Sequence, residues 1–209
     1  MLKQGKAKFV LGVTGNIGCG KSTVARMFKT KDSLLIDADA CARDLLTENK
    51  GIYNKIKLIF GREILKRNNR IDHKKLGKRV FADNAALIKL NSIMHPPLIR
   101  EIKRQINSSG KKVIILDAAL IIEAGLIRII DKLIVVTAKK EQQILRKTKN
   151  RAFERKDILM RIKSQISQNE KLRFADFIID NSGKLSQTRK QVSEIRRALA
   201  CFVRQDFSG

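Results

Sequence analysis

The chain has no tryptophan, one tyrosine, two prolines and three cysteines in 209 residues. Each shortage closes off a class of function. Without tryptophan, and with no aromatic residues interleaved among the basic ones, it lacks the stacking surface that proteins use to read single-stranded RNA. Cys19, Cys41 and Cys201 are odd in number and far apart. They suit a reducing compartment and offer neither a disulfide framework nor a metal-ligand spacing. No apolar run approaches membrane-spanning length, and the apolar stretch behind Lys3, Lys6 and Lys8 is too short for a secretory signal and has no cleavage pattern. No membrane partner and a cytoplasmic location are therefore expected. Acidic residues are also scarce, 20 Asp and Glu against 45 Lys and Arg, for a formal net charge of +25. Nucleic acid would be one partner for such a charge. The basic residues are nevertheless spread along the whole chain, with only short clusters such as Arg196-Arg197. The charge is read instead as a lysine-rich surface around a site for small anionic substrates.

Against that background one stretch dominates, Gly15-Asn16-Ile17-Gly18-Cys19-Gly20-Lys21-Ser22-Thr23. It follows an apolar run, Phe9 to Val13, that reads as a strand, and leads into Thr23 to Lys29, which reads as a helix. Gly, four residues, then Gly-Lys-Ser in this context is the phosphate-binding P-loop pattern. The glycines let backbone N–H groups approach phosphate oxygens, and the helix N-terminus adds partial positive charge. Lys21 supplies a full charge for the β- and γ-phosphates, and the Ser22 hydroxyl is placed to ligate Mg2+. ATP and Mg2+ are the implied co-substrate and cofactor. Cys19 inside the loop could be oxidation-sensitive; the plainer reading is a tolerated small residue.

The remaining chain supplies carboxylates at strand ends. Ser33 to Ile36 reads as a strand ending at Asp37-Ala38-Asp39. Carboxylates at that edge lie where α/β proteins bind ligands. Either Asp37 or Asp39 could instead cap the next helix, but two are more than a cap needs. Residues 50–108 read as helical. Ile52, Ile56, Ile59 and Phe60 share a helical spacing that Gly61 ends, and Asp72 could cap a helix carrying Leu76, Val80 and Phe81. A further helix over 84–93 is expected to break at His95-Pro96-Pro97 before another over 98–106, placing the imidazole at a turn. Alone, His95 is ambiguous between structure and function. The block shows no strand pattern and reads as a helical insertion over the ligand edge of a sheet. Lys111 to Asp117 returns to that sheet, its terminal carboxylate resembling the Asp that orients Mg2+ directly or through water. Leu133 to Val136 and Phe177 to Ile179 read as further strands. Basic helices are expected over 139–151 and 157–171, either as a solvated cationic face or as a lid closing arginines over the transferred phosphoryl group. A closing helix is expected over 185–203.

In this order the motifs resemble the dephospho-CoA kinase family. The likeness runs from about Lys8 to about Leu199. It rests on the P-loop from Thr14 to Thr23, Ile36-Asp37-Ala38-Asp39, Met94-His95-Pro96, the Leu120 to Glu123 segment, Leu145-Arg146, Arg161 to Gln165, and Ala175 to Gly183 with its Asp180-Asn181-Ser182-Gly183. The resemblance implies an α/β fold, a P-loop NTPase-type parallel sheet flanked by helices. A single domain over 1–209 would carry a helical CoA-substrate insertion at 40–108 and a helical lid at 146–172. It implies phosphorylation of the ribose 3′-hydroxyl of dephospho-CoA by ATP, the last step of coenzyme A synthesis. By the same match Asp39 is the base, Lys21 and Arg146 steady the γ-phosphate, and His95 and Glu123 lie with the CoA substrate. Asn181 then lies near adenine, and Ser22 with Asp117 near the metal. The family has Asp-x-Pro-Leu-Leu where this chain has Asp117-Ala118-Ala119-Leu120-Ile121, and a second lid arginine where this chain has Asn150 followed by Arg151. Another nucleoside or nucleotide kinase of this fold, or a nucleic-acid-binding P-loop ATPase, would share part of the pattern. The oligomeric state is left open.

Overall fold

The structure, a computed structural model, describes residues 8–149 and 154–206. Asn150 and Arg151 lie outside the described residues. Five strands, β1 (Phe9–Thr14), β2 (Ser33–Asp37), β3 (Val113–Asp117), β4 (Lys132–Thr137) and β5 (Phe177–Asp180), form one sheet in the order β2-β3-β1-β4-β5. Every pairing is parallel. Parallel sheets are covered on both faces, which is why β1 carries no polar side chain before Thr14 and is buried at all six positions.

Alternation along β1 sorts the core into two layers. Leu11 and Val13 face helices α1 (Lys21–Phe28) and α9 (Leu185–Asp206), meeting Val24, Ala25, Phe28, Val192, Ile195 and Leu199. Val10 faces the opposite layer with Ile114, Leu116, Leu133 and Val135. That layer is closed by Ala38 and Cys41 of α2 (Ala38–Glu48) and by Leu98, Ile102 and Ile106 of α5 (Asn84–Ser108).

Between β2 and β3 the chain leaves the sheet through α2, α3 (Lys50–Phe60), α4 (His73–Ala82) and α5. These helices have their own core, with Ile52, Ile56, Phe60, Leu76, Val80 and Met94 buried together. Two of the expected boundaries in this block hold. Gly61 ends α3 at φ 76°, and Asp72 caps α4 by accepting from the N–H groups of Lys74 and Lys75 at 2.9 and 3.1 Å. Ile59 departs from its expected face and is 46% exposed, and an isolated antiparallel bridge joins Leu65 to Ile71 in a block that showed no strand pattern.

The largest correction is at His95-Pro96-Pro97. The helix does not break there; α5 runs through both prolines. An interior proline costs about 3 kcal/mol. Against that, Met94, Leu98, Ile102 and Ile106 recur every four residues and are all buried, each large apolar side chain contributing about 1.5–3 kcal/mol. A buried stripe continuing on both sides of the prolines outweighs the local rule.

The expected second basic helix is also two helices, α7 (Arg155–Lys163) and α8 (Gln168–Leu172), following α6 (Lys140–Thr148). Ser167 opens α8 with a capping box to Glu170. α7 docks on α4, where the Arg161 guanidinium lies 4.2 Å from the centre of the Phe81 ring and against Gly77.

Candidate active site

Four of the five strands, β1, β2, β3 and β5, lead into functional groups at their C-terminal ends, the edge where open α/β sheets bind ligands. The phosphate loop follows β1. Gly20 sits at φ 92° immediately before α1, and a side chain there would overlap the Asn181 amide. Gly18, at φ 81°, would drive a Cβ to 2.5 Å from the Gln143 carbonyl oxygen. Positive φ and close backbone approach together restrict both positions to glycine. Asn16 and Cys19 are buried, Ile17, Ser22 and Gly15 belong to the same turn and first helical residues, and Thr23 is exposed on α1.

Lys21, the first residue of α1, is the electrostatic centre. Its Nζ donates to Asp39 Oδ2 at 2.8 Å and to Asp117 Oδ1 at 3.0 Å. Burial alone would lower its pKa; the two carboxylates outweigh that and hold it above the ordinary lysine value. Asp117 is 2% exposed at the end of β3, whereas the Asp39 side chain is 51% exposed on the first turn of α2. The two candidates after β2 therefore separate. Asp37 is the cap of α2, accepting from Ala40 N–H at 2.9 Å, while Asp39 joins the lysine.

Arg146 reaches from α6 to the same loop. One terminal nitrogen donates to the Cys19 carbonyl at 3.2 Å and the other to the Asn181 carbonyl at 2.6 Å. The Asn181 side chain donates to the Cys19 carbonyl at 2.8 Å and accepts from Thr188 Oγ1 at 2.8 Å. It is a buried support for the loop at the end of β5. Cys19 is fully buried and burial pushes its thiol up to about 11, which removes the reading of an oxidation-sensitive site.

Glu123 lies in the turn after β3. Its Oε1 takes the Lys171 ammonium at 3.2 Å and the Ile166 N–H at 3.2 Å, and its Oε2 is buried without a partner among the described residues. His95 Nε2 is likewise buried without a hydrogen-bond partner. Burial lowers the His95 pKa, opposed in part by the Glu123 charge. The histidine is thus on a half-buried face of a continuous helix, not at a turn.

Two groups were not singled out from the sequence. Gln165, between α7 and α8, accepts from the Ile17 N–H of the phosphate loop at 3.0 Å. It belongs to the Arg161–Gln165 motif but carried no assigned role. Lys171 is fully buried beneath the site, and a lysine in so basic a chain gives no signal of its own.

Asp39 and Asp117 are hard oxygen donors around one cationic side chain, and Ser22 follows that lysine on the first turn of α1. Among the described residues no three or more His, Cys, Asp or Glu side chains gather as a metal cage. Mg2+ suits such a place, since it takes few protein oxygens and fills its shell with water and substrate phosphate.

Comparisons with known proteins bear on the family and the fold. The family model described as dephospho-CoA kinase (CoaE) matches residues 9–187. A dephospho-CoA kinase of Carboxydothermus hydrogenoformans is 41% identical over 189 residues, covering 89% of this chain and 92% of that protein. Among solved structures, one from Thermus thermophilus is similar with a TM-score of 0.76 at 25% identity, over 92% of this chain and 98% of the other. The dephospho-CoA kinase of Campylobacter jejuni is similar with a TM-score of 0.63 at 29% identity, over 91% and 96%. A parallel sheet with a P-loop at its ligand edge, matched along nearly its whole length by these relatives, makes the chain a kinase that belongs to the dephospho-CoA kinase family.

Proposed function

We propose that this chain transfers the γ-phosphoryl group of ATP to the 3′-hydroxyl of the ribose in dephospho-CoA, giving coenzyme A and ADP, in a cytoplasmic setting. The observation that carries the assignment of roles is the Lys21 ammonium held between Asp39 and Asp117, where the phosphate loop meets the helical insertion. A ribose hydroxyl is a weak nucleophile at neutral pH. Asp39, more exposed than Asp117 and standing at the mouth of the insertion, is the group placed to orient that hydroxyl and accept its proton. The O–H bond breaks toward Asp39 as the oxygen bonds to the γ-phosphorus, and the bond to the β-phosphate oxygen breaks, leaving ADP.

Lys21 exchanges carboxylate contacts for phosphate oxygens when ATP enters. The carboxylates hold it charged and aimed beforehand, so little reorganisation accompanies transfer. Arg146 holds the Cys19 carbonyl from the far side and adds positive charge beside the loop. Ser22, with Asp117 through water, would hold Mg2+, which would neutralise β- and γ-phosphate charge. Asn181 shapes the adenine end of the site through the loop it supports. His95 and Glu123 serve the acceptor. Residues 40–108 form the CoA-substrate insertion of a single kinase domain, and residues 146–172 its lid, fastened at Arg161 on Phe81.

Product identification tests the reaction. Incubation with ATP, Mg2+ and dephospho-CoA should give one phosphorylated product by mass spectrometry, with NMR placing the new phosphate at the 3′ position. Phosphorylation of other nucleosides or nucleotides at comparable kcat/KM, or ATP hydrolysis stimulated by RNA or DNA and not by dephospho-CoA, would contradict it.

A further inference from the structure

Lys171 is the largest fully buried side chain among the described residues, although the chain is otherwise covered with lysines. Burying an ammonium is costly unless it is paired and hydrogen-bonded, and a well-packed apolar side chain would often be at least as stable there. What Lys171 does is visible in its partners. Its Nζ donates to the Ala119 carbonyl at 2.6 Å and pairs with Glu123 Oε1 at 3.2 Å. The Ala119 carbonyl also accepts from Thr14 Oγ1 at 3.1 Å, which ties it to the end of β1. Residues 119–125 form a run of turns with no ladder of their own, so a carbonyl at one end and a carboxylate four residues on, fixed by one ammonium, set the shape of the segment.

The same contacts decide which atom of Glu123 is left for a ligand. Oε1 is taken by Lys171 and by the Ile166 N–H. Oε2 is buried and has no partner among the described residues. A buried carboxylate oxygen without a donor is costly, and a donor from a ligand would satisfy it.

We propose that Lys171 is a positioning residue for the acceptor substrate: by holding Ala119 and Glu123 Oε1 it presents Glu123 Oε2 to a hydroxyl or amide N–H of dephospho-CoA. The inference rests on the reading of Glu123 as a substrate-binding residue. Lys171 itself touches no substrate.

The experiment is a double-mutant cycle in steady-state kinetics with ATP, Mg2+ and dephospho-CoA, using Lys171→Met, Glu123→Gln and the double variant. Lys171→Met should raise KM for dephospho-CoA by about tenfold or more, the range for losing a hydrogen bond to a charged group. KM for ATP should stay within about twofold and kcat within about threefold, because neither the hydrogen bond nor the ion pair of Lys171 is to a residue of the phosphate loop, and Thr14 keeps its own bond to the Ala119 carbonyl. In the Glu123→Gln background Lys171→Met should add less than about twofold, because its route to the substrate has already been removed. Lys171→Gln, which keeps a donor for the Ala119 carbonyl, should fall between wild type and Lys171→Met. Equal rises in both KM values, or effects that multiply fully in the double variant, would overturn the proposal. A raised KM in Glu123→Gln with normal kinetics in Lys171→Met would overturn Lys171's part alone; a normal KM in Glu123→Gln would overturn the reading of Glu123 beneath it. Loss of the thermal transition in both Lys171 variants would make Lys171 a structural prop, and would overturn the proposal too.

Discussion

On the donor side, Lys21 is held by two carboxylates at 2.8 and 3.0 Å, and the Cys19 carbonyl takes both Arg146 and Asn181. On the acceptor side, His95 Nε2 and Glu123 Oε2 are both buried without partners among the described residues. Asp117, Asp39 and Asn181 stand at or just beyond the ends of β3, β2 and β5, and Lys21 opens the helix after β1, so the sheet register governs their spacing. Asp37, the cap of the helix that carries Asp39, is paired to Asp117 across β2 and β3. Arg146 joins them from α6. The acceptor groups come from α5, the turn after β3 and α8, which the sheet does not hold in register. Both halves hold buried polar atoms without a partner among the described residues, Asn16 Oδ1 in the phosphate loop as well as His95 Nε2 and Glu123 Oε2. The difference is that the donor half already pairs its cation, Lys21, with two carboxylates, whereas the acceptor half leaves an atom of each of its two substrate-side groups open. Substitutions on the first should cost chemistry; those on the second should cost binding.

The largest expected effect is at Lys21. Lys21→Ala should lower kcat by about a thousandfold or more, since it removes the cation that faces developing charge. The structure adds a second consequence. The Asp117 side chain is 3% exposed and Lys21 is its ion-pair partner, so Lys21→Ala leaves a buried carboxylate unpaired and should destabilise the fold by about 3 kcal/mol. Lys21→Met with Asp117→Asn should recover the stability and not the turnover. Recovery of both would break the separation between chemistry and folding at this site.

Next is Arg146→Ala. It removes donors to the Cys19 and Asn181 carbonyls, and kcat should fall by roughly thirtyfold while KM for dephospho-CoA stays within about threefold. A change confined to KM for dephospho-CoA would move Arg146 to the acceptor side of the comparison.

The smallest effect concerns His95. Its folded-state pKa is depressed below the ordinary value of 6.5 by burial, so it is neutral at pH 7. As pH falls through 6.5 the unfolded chain takes up the proton before the folded one does. Stability is therefore lost on acidification and is unaffected above that range. His73 is shifted in the same direction by burial and contributes to the same slope. Thermal unfolding between pH 7.5 and 5 should show a shallower fall for His95→Asn than for wild type, by about 1–3 °C. Identical slopes would mean that His95 titrates as an exposed histidine, without the burial that marks the acceptor side.

How far the sequence revealed these two halves follows the same division. The phosphate loop, the aspartates after β2 and the Asp72 cap are recognised from residues close together in the chain, so their geometry is largely local. The continuity of α5 through Pro96 and Pro97 is not local, because it depends on Met94, Leu98, Ile102 and Ile106 finding a core. The break between α7 and α8 is set at a distance too. Gln165 meets the phosphate loop 148 residues away, and Ile166 meets Glu123 43 residues away. Helical periodicity across 157–171 carries no trace of either contact. The family match names Asp39 as the base, but which aspartate caps α2 is not legible in the sequence; the Ala40 contact gives that place to Asp37, and the Lys21 contact places Asp39 beside the lysine.

The central claim is that the two halves meet at Asp39. Single-turnover kinetics of Asp39→Asn and Asp37→Asn, measured in parallel with calorimetric binding of ATP and dephospho-CoA, test it most directly. Asp39→Asn should bind both substrates within a few-fold of wild type and lose about a hundredfold or more in the rate of transfer, the range for a general base. Asp37→Asn should keep transfer within about threefold and lose at most about 1 kcal/mol of stability through its cap. Normal transfer in Asp39→Asn together with its loss in Asp37→Asn would contradict the account and exchange the two roles.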